Sequence, residues 1–232
     1  MKPAVLSLSL AVCLCVPARA DFTIVQKVEG KGSASEITLK IRGDKIRMEA
    51  TPQMTMIVDG KTGDTITLMN AQKKFVRISG EKAKAIAELA SKYAGGGTTA
   101  EKPRLTATGK KTTINGYEAE EYIGETKLFK ASYWIAPSFP DSAAIMTQLQ
   151  AVIPAAWNDL AKGMMDYRDL PGFPLRTQVK TDDGEITSTV TAVKRDSLSD
   201  AEFLVPKDFQ EMKIPNIQTS SDTSEPAASP KP

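Results

Sequence analysis

The sequence predicts an α+β protein, mainly antiparallel β, in which a curled sheet of about ten or eleven strands carries two helical insertions over its concave face. Three observations support this fold class. Short segments between residues 22 and 212 alternate apolar and polar side chains, two longer stretches change to a helical period, and no β–α–β rhythm links them. Because a twisted sheet with many strands tends to curl, we expect residues 21–214 to form one domain around a curled sheet.

The first strands are predicted between residues 22 and 50. Phe22 to Val28 forms a first strand, and "ITLKI" at 37–41 alternates apolar and polar residues. "KIRMEA" at 45–50 repeats that alternation after a tight turn at Gly43-Asp44. These two segments are therefore antiparallel neighbours, each with one half-buried face.

The segment "MTMIVDGKTGDTITLM", residues 54–69, predicts a hairpin with unusually apolar arms. A three-residue loop over 61–63, with Gly63 in the left-handed conformation, is a common connection. It sets Met56 opposite Leu68 and leaves Ile57 and Met69 on the outer face, as isolated residues or a small docking patch. The inner face then consists of Met54, Met56, Val58, Ile66 and Leu68.

The remaining elements follow in order. "KKFVRIS" is a strand, residues 80–93 have a helical period with Ser79 as N-cap, and Asn115-Gly116 marks a type I′ hairpin. That turn pairs Lys111 with Glu120 and Lys110 with Glu121. Residues 141–166 form a second helical insertion that Pro154 kinks or divides. Two strands joined at Asp183-Gly184 and the closing "DAEFLVPKDFQEM" complete the domain.

Both ends of the chain predict segments outside the domain. Lys2, an apolar run over 4–16 and Ala18-Arg19-Ala20 form a secretory signal, so the mature chain should begin at Asp21. Cys13 and Cys15 lie within it, and neither follows the small residue that lipidation requires. Residues 215–232 are rich in Pro and Ser and should be a disordered tail. The chain is therefore expected to be secreted.

Composition excludes several functions. The chain has 30 basic and 28 acidic residues, but Lys2 and Arg19 leave with the signal, so the mature chain is formally neutral and nucleic acid is not an expected partner. No histidine occurs, and no cysteine remains. We therefore expect no catalytic residues, no metal site and no cofactor.

Short motifs offer two chemical alternatives. "SGEK" at 79–82 and "KTG" at 61–63 match motifs of serine β-lactam-binding enzymes, but their order along the chain is reversed and each has a structural explanation. Met54-Thr55-Met56 and Met164-Met165 could supply soft ligands for copper(I), although methionine more often fills irregular apolar space.

The preferred site is the concave apolar face, covered by the second helical insertion. Its pattern fits either a cavity for an apolar ligand or a filled core, and the excess of methionine favours an adaptable lining. The expected lining residues are Met48, Met54, Met56, Val58, Ile66, Leu68, Leu149, Trp157, Leu160 and Met164.

Several segments resemble the periplasmic lipoprotein carrier of Gram-negative bacteria and its superfamily. They are "FTIVQKVEGKG", "LKIRGDKIRM", the "DGKT" hairpin and "DAEFLVPKDFQEM". The resemblance implies a half-open β-barrel that holds acyl chains under a helical lid, and a lid latch at Arg42. Gly43 stands where the carrier has proline, and the carrier's opening helix has no counterpart.

The sequence thus predicts a monomeric, non-enzymatic periplasmic binding protein for an acyl chain, lipid or acylated protein, with peripheral association to the envelope. The alternative is an envelope interaction or scaffold module with a filled core and no small ligand. The family within the superfamily is expected to be uncharacterised.

Overall fold

The structure, a computed structural model, describes residues 20–93, 104–125, 130–152, 165, 169–181 and 184–213. Residues 1–19 of the predicted signal segment, the C-terminal tail and the predicted turn residue Asp183 lie outside these ranges. No helix among the described residues is both long and apolar enough to span a bilayer.

Twelve strands, two α-helices and two short 3₁₀ helices are described. The strands are β1 (Asp21–Gly30), β2 (Ser33–Arg42), β3 (Lys45–Thr51), β4 (Met54–Asp59), β5 (Thr65–Met69), β6 (Lys74–Ile78), β7 (Arg104–Ile114), β8 (Tyr117–Glu125), β9 (Lys130–Ile135), β10 (Pro174–Thr181), β11 (Gly184–Asp196) and β12 (Gln210–Glu211). The helices are α1 (Gly80–Tyr93) and α2 (Ser142–Val152), with 3₁₀ turns at Asn70–Gln72 and Asp200–Phe203.

All twelve strands belong to one open sheet. Their order is β12-β6-β5-β4-β3-β2-β1-β11-β10-β9-β8-β7. Neighbours are antiparallel except β12, which runs parallel to β6. The predicted fold class is confirmed, with one strand more than expected because the two-residue β12 is too short to produce a sequence pattern.

The turns predicted from short-range signals are confirmed. Gly43 has a φ of +59° in the two-residue turn between β2 and β3. Asn115 and Gly116 have φ values of +51° and +84°, which is the conformation that a type I′ turn requires. Lys111 pairs with Glu120 as predicted. A bulge between Ala107 and Lys111 then shifts the register, so Lys110 and Glu121 meet as an ion pair at 3.5 Å rather than as strand partners.

The predicted register of the β4–β5 hairpin is wrong by one residue. Thr55, not Met56, lies opposite Leu68, and Ile57 lies opposite Ile66. The loop between the paired Asp59 and Asp64 contains four residues, closed by a 2.8 Å bond from the Gly63 amide to the Asp59 carbonyl. Gly63 does take the left-handed conformation, with a φ of +77°.

The added loop residue divides the apolar side chains between the two faces of the sheet. Directly opposed residues of antiparallel strands share a face, so Ile66 and Leu68 lie with Ile57 rather than with Met56. The predicted inner-face positions of Ile66 and Leu68 are therefore wrong, as is the predicted outer position of Met69, which lies opposite Met54.

Each face of the sheet has its own hydrophobic core. The inner core joins β1 and β2 to α2 and includes Phe22, Ile24, Ile41 and Ile145, all at most 1% exposed. The outer core lies on the opposite face, between β4–β6 and the closing segment 198–209. Its buried members are Ile57, Ile66, Leu68, Phe75, Leu198 and Phe203.

The two cores explain why the arms of the β4–β5 hairpin are almost continuously apolar. A strand covered on both faces needs apolar residues at odd and even positions alike, whereas a strand with one wet face alternates. The closing segment that covers the outer face is distant along the chain, so a local pattern of alternating residues does not reveal it.

The β4–β5 loop contacts both helices. A Cβ atom on Gly60 would lie 2.4 Å from the carbonyl oxygen of Ala151, at the end of α2. A Cβ atom on Gly80, at the start of α1, would lie 2.2 Å from the carbonyl oxygen of Thr62. The predicted cap is confirmed, because the Ser79 hydroxyl accepts a 3.2 Å bond from the Lys82 amide.

Candidate ligand-binding surface

Four methionines lie next to one another on the inner face of β3–β5. Met48 is the direct cross-strand partner of Met56, and Met54 is the direct partner of Met69. Met54 and Met56 are two residues apart on β4, which places both pairs on the same face. We name Met48, Met54, Met56 and Met69 the methionine patch.

The methionine patch is only partly covered. Met54 is 46% exposed, and the other three members are half-buried. In contrast, the branched residues Ile57 and Leu68 on the opposite face of the same strands are 3% and 1% exposed. The stiff side chains therefore fill the outer core, while the flexible side chains line the part of the inner face that remains accessible.

The methionine patch continues into the inner core without a charged residue between them. Leu39 and Ile46 lie on the same face, half-buried, and both pack against the inner core. Val58, beside Ile46, is 3% exposed. An elongated apolar surface thus extends along the inner face from the exposed Met54 towards α2.

The other predicted lining residues have different positions. Leu149, on α2, is half-buried and packs against the inner core. Ile66 and Leu68 lie in the outer core and cannot line the inner face. Trp157, Leu160 and Met164 lie outside the described residues.

Arg42 lies at the end of β2, and its described partners are on the outer side of the sheet. Its guanidinium is 3.1 Å from the Asp200 carboxylate and 3.5 Å from that of Asp21. Its neighbour Ile41 points into the inner core, so strand alternation turns Arg42 to the outer face. These contacts join the start of β1 to the closing segment, and the predicted contact with a lid is not among them.

Charged residues on the outer face hold the closing segment on the sheet. Lys40 donates a 2.7 Å hydrogen bond to the Glu202 carboxylate, and Arg47 donates a 2.9 Å bond to the Glu202 carbonyl. The bond from Lys40 and one from the Ser199 amide hold the pKa of Glu202 below its ordinary value. These contacts of the closing segment belong to the outer face, whereas on the inner face Lys74 is the cross-strand partner of Met69 and borders the methionine patch.

Two surface clefts lie elsewhere, near the start of α2. One of about 460 Å³ is bordered by Phe139, Met146 and Gly172, and one of about 230 Å³ by Tyr117 and Arg195. Neither is lined by a member of the methionine patch. Both are lined by polar and charged as well as apolar residues, which does not suit a long apolar ligand.

Sequence reasoning missed one member of the patch. A three-residue loop places Met69 on the outer face, whereas the four-residue loop of the structure places it on the inner face. The Asp59 side chain contains the missed signal: its carboxylate accepts bonds from the Lys61 and Thr62 amides at 3.0 Å. Asp followed by a glycine is a known turn former and could have indicated the longer loop.

The fold and surface define a class: an open antiparallel sheet with one filled face and one partly accessible, methionine-lined face. The sequence places the chain in a family. Residues 23–209 match the model described as Domain of unknown function (DUF4412), and the chain belongs to that family. A search of curated proteins finds no match to the sequence.

Several solved structures have similar architecture. PNGF-II aligns with a TM-score of 0.42 and 14% identity, over 83% of this chain and 31% of that chain. The Pseudomonas aeruginosa MucA/MucB complex aligns with a TM-score of 0.39 and 12% identity, over 85% of this chain and 59% of that chain. The Mycobacterium tuberculosis lipoprotein LppX aligns with a TM-score of 0.39 and 12% identity, over 78% of this chain and 88% of that chain.

These similarities concern architecture. The chain spans about a third of the PNGF-II chain and under two thirds of the MucA/MucB chain that it matches. The ligands and partners of those proteins are not assigned to this chain by these alignments.

Proposed function

We propose that this protein is a periplasmic, non-enzymatic binding protein that holds an acyl chain of a lipid or acylated protein on its inner face. The observation that carries this proposal is the half-exposed methionine patch, continuous with the inner core. The export signal, which the sequence predicts over residues 1–20, supports the location.

Apolar burial would supply the binding energy. Each methylene transferred from water to an apolar surface contributes about 0.8 kcal/mol, so a chain of ten methylenes gains roughly 8 kcal/mol before ordering costs. Methionine suits a ligand of variable length or unsaturation, because three rotatable bonds let the side chain adapt to different shapes. No charged anchor on the inner face is needed for such a ligand.

The test is native mass spectrometry of the protein purified from the periplasm without detergent. A stoichiometric adduct that organic extraction recovers as lipid supports the proposal and identifies the ligand class. A clean apo mass, together with no uptake of a lipophilic fluorescent probe, contradicts it. The same spectrum reports whether the protein is a monomer and whether residues 1–20 have been removed.

The rival is a filled-core scaffold module without a small ligand. Leu149, half-buried on α2 against the inner core, discriminates between the two. If Leu149→Asp yields a folded protein that no longer takes up the probe, α2 acts as a cover over a ligand. If the variant does not fold, as judged by circular dichroism, α2 is an integral part of a solid core.

A second candidate function follows from the methionine patch itself. Thioether sulfurs are soft ligands that favour copper(I), and the fold brings four of them onto adjacent positions of one face. Silver(I), a stable soft cation, serves as the probe. Replacing Met54 and Met56 by leucine keeps the apolar surface, so it abolishes silver binding if the thioethers act as ligands and leaves lipid binding intact.

A further inference from the structure

Gln148 is a buried polar residue on α2 that the ligand-binding proposal does not use. Its side chain is 5% exposed and lies on a helix whose 11 residues include no charged side chain. Its Nε2 donates to the carbonyl oxygen of Ala20 at 2.5 Å, and its Oε1 has no hydrogen-bond partner. A buried amide oxygen without a donor is costly, typically about 1–3 kcal/mol.

Ala20 and Asp21 flank the predicted cleavage point. Cleavage there removes the carbonyl that Gln148 contacts and converts the Asp21 amide into an α-ammonium group with three donors. The oxygen and nitrogen of one peptide bond are about 2.3 Å apart, so the new ammonium forms within about 5 Å of the Gln148 amide nitrogen. A half-turn of that amide presents Oε1 instead of Nε2.

We infer that Gln148 is the receptor for the α-ammonium group of the processed chain, so that α2 becomes anchored to the mature N-terminus. This inference rests on the export signal in the proposed function, and not on the presence of a lipid. A carbonyl oxygen that accepts from an ammonium group makes a stronger bond than a neutral amide pair.

The surroundings of Asp21 favour a positive charge. The Asp21 carboxylate is held by Arg42 at 3.5 Å and by the Leu198 amide at 3.0 Å. Asp196 is its cross-strand partner on β11, and Asp200 lies beyond Arg42. The next cation on β11, Arg195, is bound to Asp141, just before α2. Asp21 and Asp200 share one arginine, and Asp196 adds a third carboxylate, so negative charge exceeds positive charge around the chain start.

The experiment uses the mature protein, purified after export, and the variant Gln148→Leu, which has a similar volume and no polar atom. Mass spectrometry first establishes that the chain begins at Asp21. NMR then follows the titration of the α-amine through the Asp21 Cα and Hα shifts. The ordinary pKa of an α-amine is about 7.7–8.0, and we expect it to be raised by about half a unit or more relative to the variant.

Stability gives a second readout with a defined sign. A pKa raised by folding stabilises the protein below the unfolded pKa, and that contribution disappears as the pH rises through the folded pKa. The denaturation midpoint of the mature protein should therefore fall from pH 6.5 to pH 9.5 more than that of Gln148→Leu. A matched chain that retains Ala20 should lack this difference.

Two results would overturn the inference. One is an N-terminus other than Asp21 in the exported protein. The other is an α-amine that titrates identically with and without Gln148. Neither depends on whether the protein carries lipid, so a failure here is distinguishable from a failure of the ligand-binding proposal.

Discussion

The ligand site that we propose on the inner face depends on single residues. Met56 is half-buried in the centre of the methionine patch, between Met48 and Thr67. Met56→Asp should lower affinity for a lipophilic probe at least tenfold, about 1.4 kcal/mol, because a carboxylate on an apolar surface must remain hydrated. Fluorescence titration measures this effect, with Met56→Leu as the control that binds normally. An Asp variant that binds like the wild type would remove the patch from the proposed site.

Glu202 makes stability depend on pH. Hydrogen bonds from Lys40 and the Ser199 amide hold its pKa below the ordinary 4.5, so it stabilises the fold above that pH. The contribution is lost as the pH falls through the folded pKa. Urea unfolding at pH 7 and at pH 3.5 measures the free energy of unfolding. Between these two pH values, Glu202→Gln should lose less of that free energy than the wild type. Glu118→Gln, which changes the exposed pair with Lys111, should behave like the wild type.

At the scale of elements, the β4–β5 loop holds both helices in position. Gly60 touches the backbone of α2, which cannot move aside as a flexible side chain could. Gly60→Ala should therefore destabilise the protein by about 1–3 kcal/mol and displace α2 from the inner core. Chemical denaturation measures the loss, and near-ultraviolet circular dichroism reports the displacement.

A matched glycine controls that experiment. A Cβ atom on Gly30 would lie 3.3 Å from its nearest neighbours, a close contact that small shifts relieve. Gly30→Ala should lower the free energy of unfolding clearly less than Gly60→Ala does. Equal costs would show that loss of glycine flexibility, and not contact with α2, determines the effect.

The elements also differ in how far the sequence predicts them. The Asn115-Gly116 hairpin follows from local chemistry, since only a few residues tolerate two positive φ angles. The register at Met56 does not follow from local chemistry. Both faces of β4 carry apolar residues, so the contrast between an apolar and a polar face that normally fixes the register is missing. The partner that covers Ile57 and Leu68 is more than 100 residues away along the chain, where local patterns carry no information.

At the scale of the molecule, the open sheet has two unequal edges. β6 is covered by the two-residue β12, whereas β7 presents 11 residues along the other edge. Lys111, 57% exposed on β7, discourages pairing with another sheet. Lys111→Ile should increase self-association at high concentration, measured by light scattering. Lys180→Ile, on the interior strand β10, should not, and equal association of both variants would implicate general hydrophobicity instead.

The position of β1 has a consequence for export. β1 lies between β2 and β11, so Asp21 pairs with Asp196, which is almost a whole domain away along the chain. The outer core also needs residues 198–209 and cannot form before them. Contacts between distant parts of a chain form slowly. A nascent chain that has not yet produced β11 cannot complete its sheet. In the export that we propose, such a chain would remain unfolded long enough to pass through a narrow translocation channel, and would fold only on the far side of the membrane.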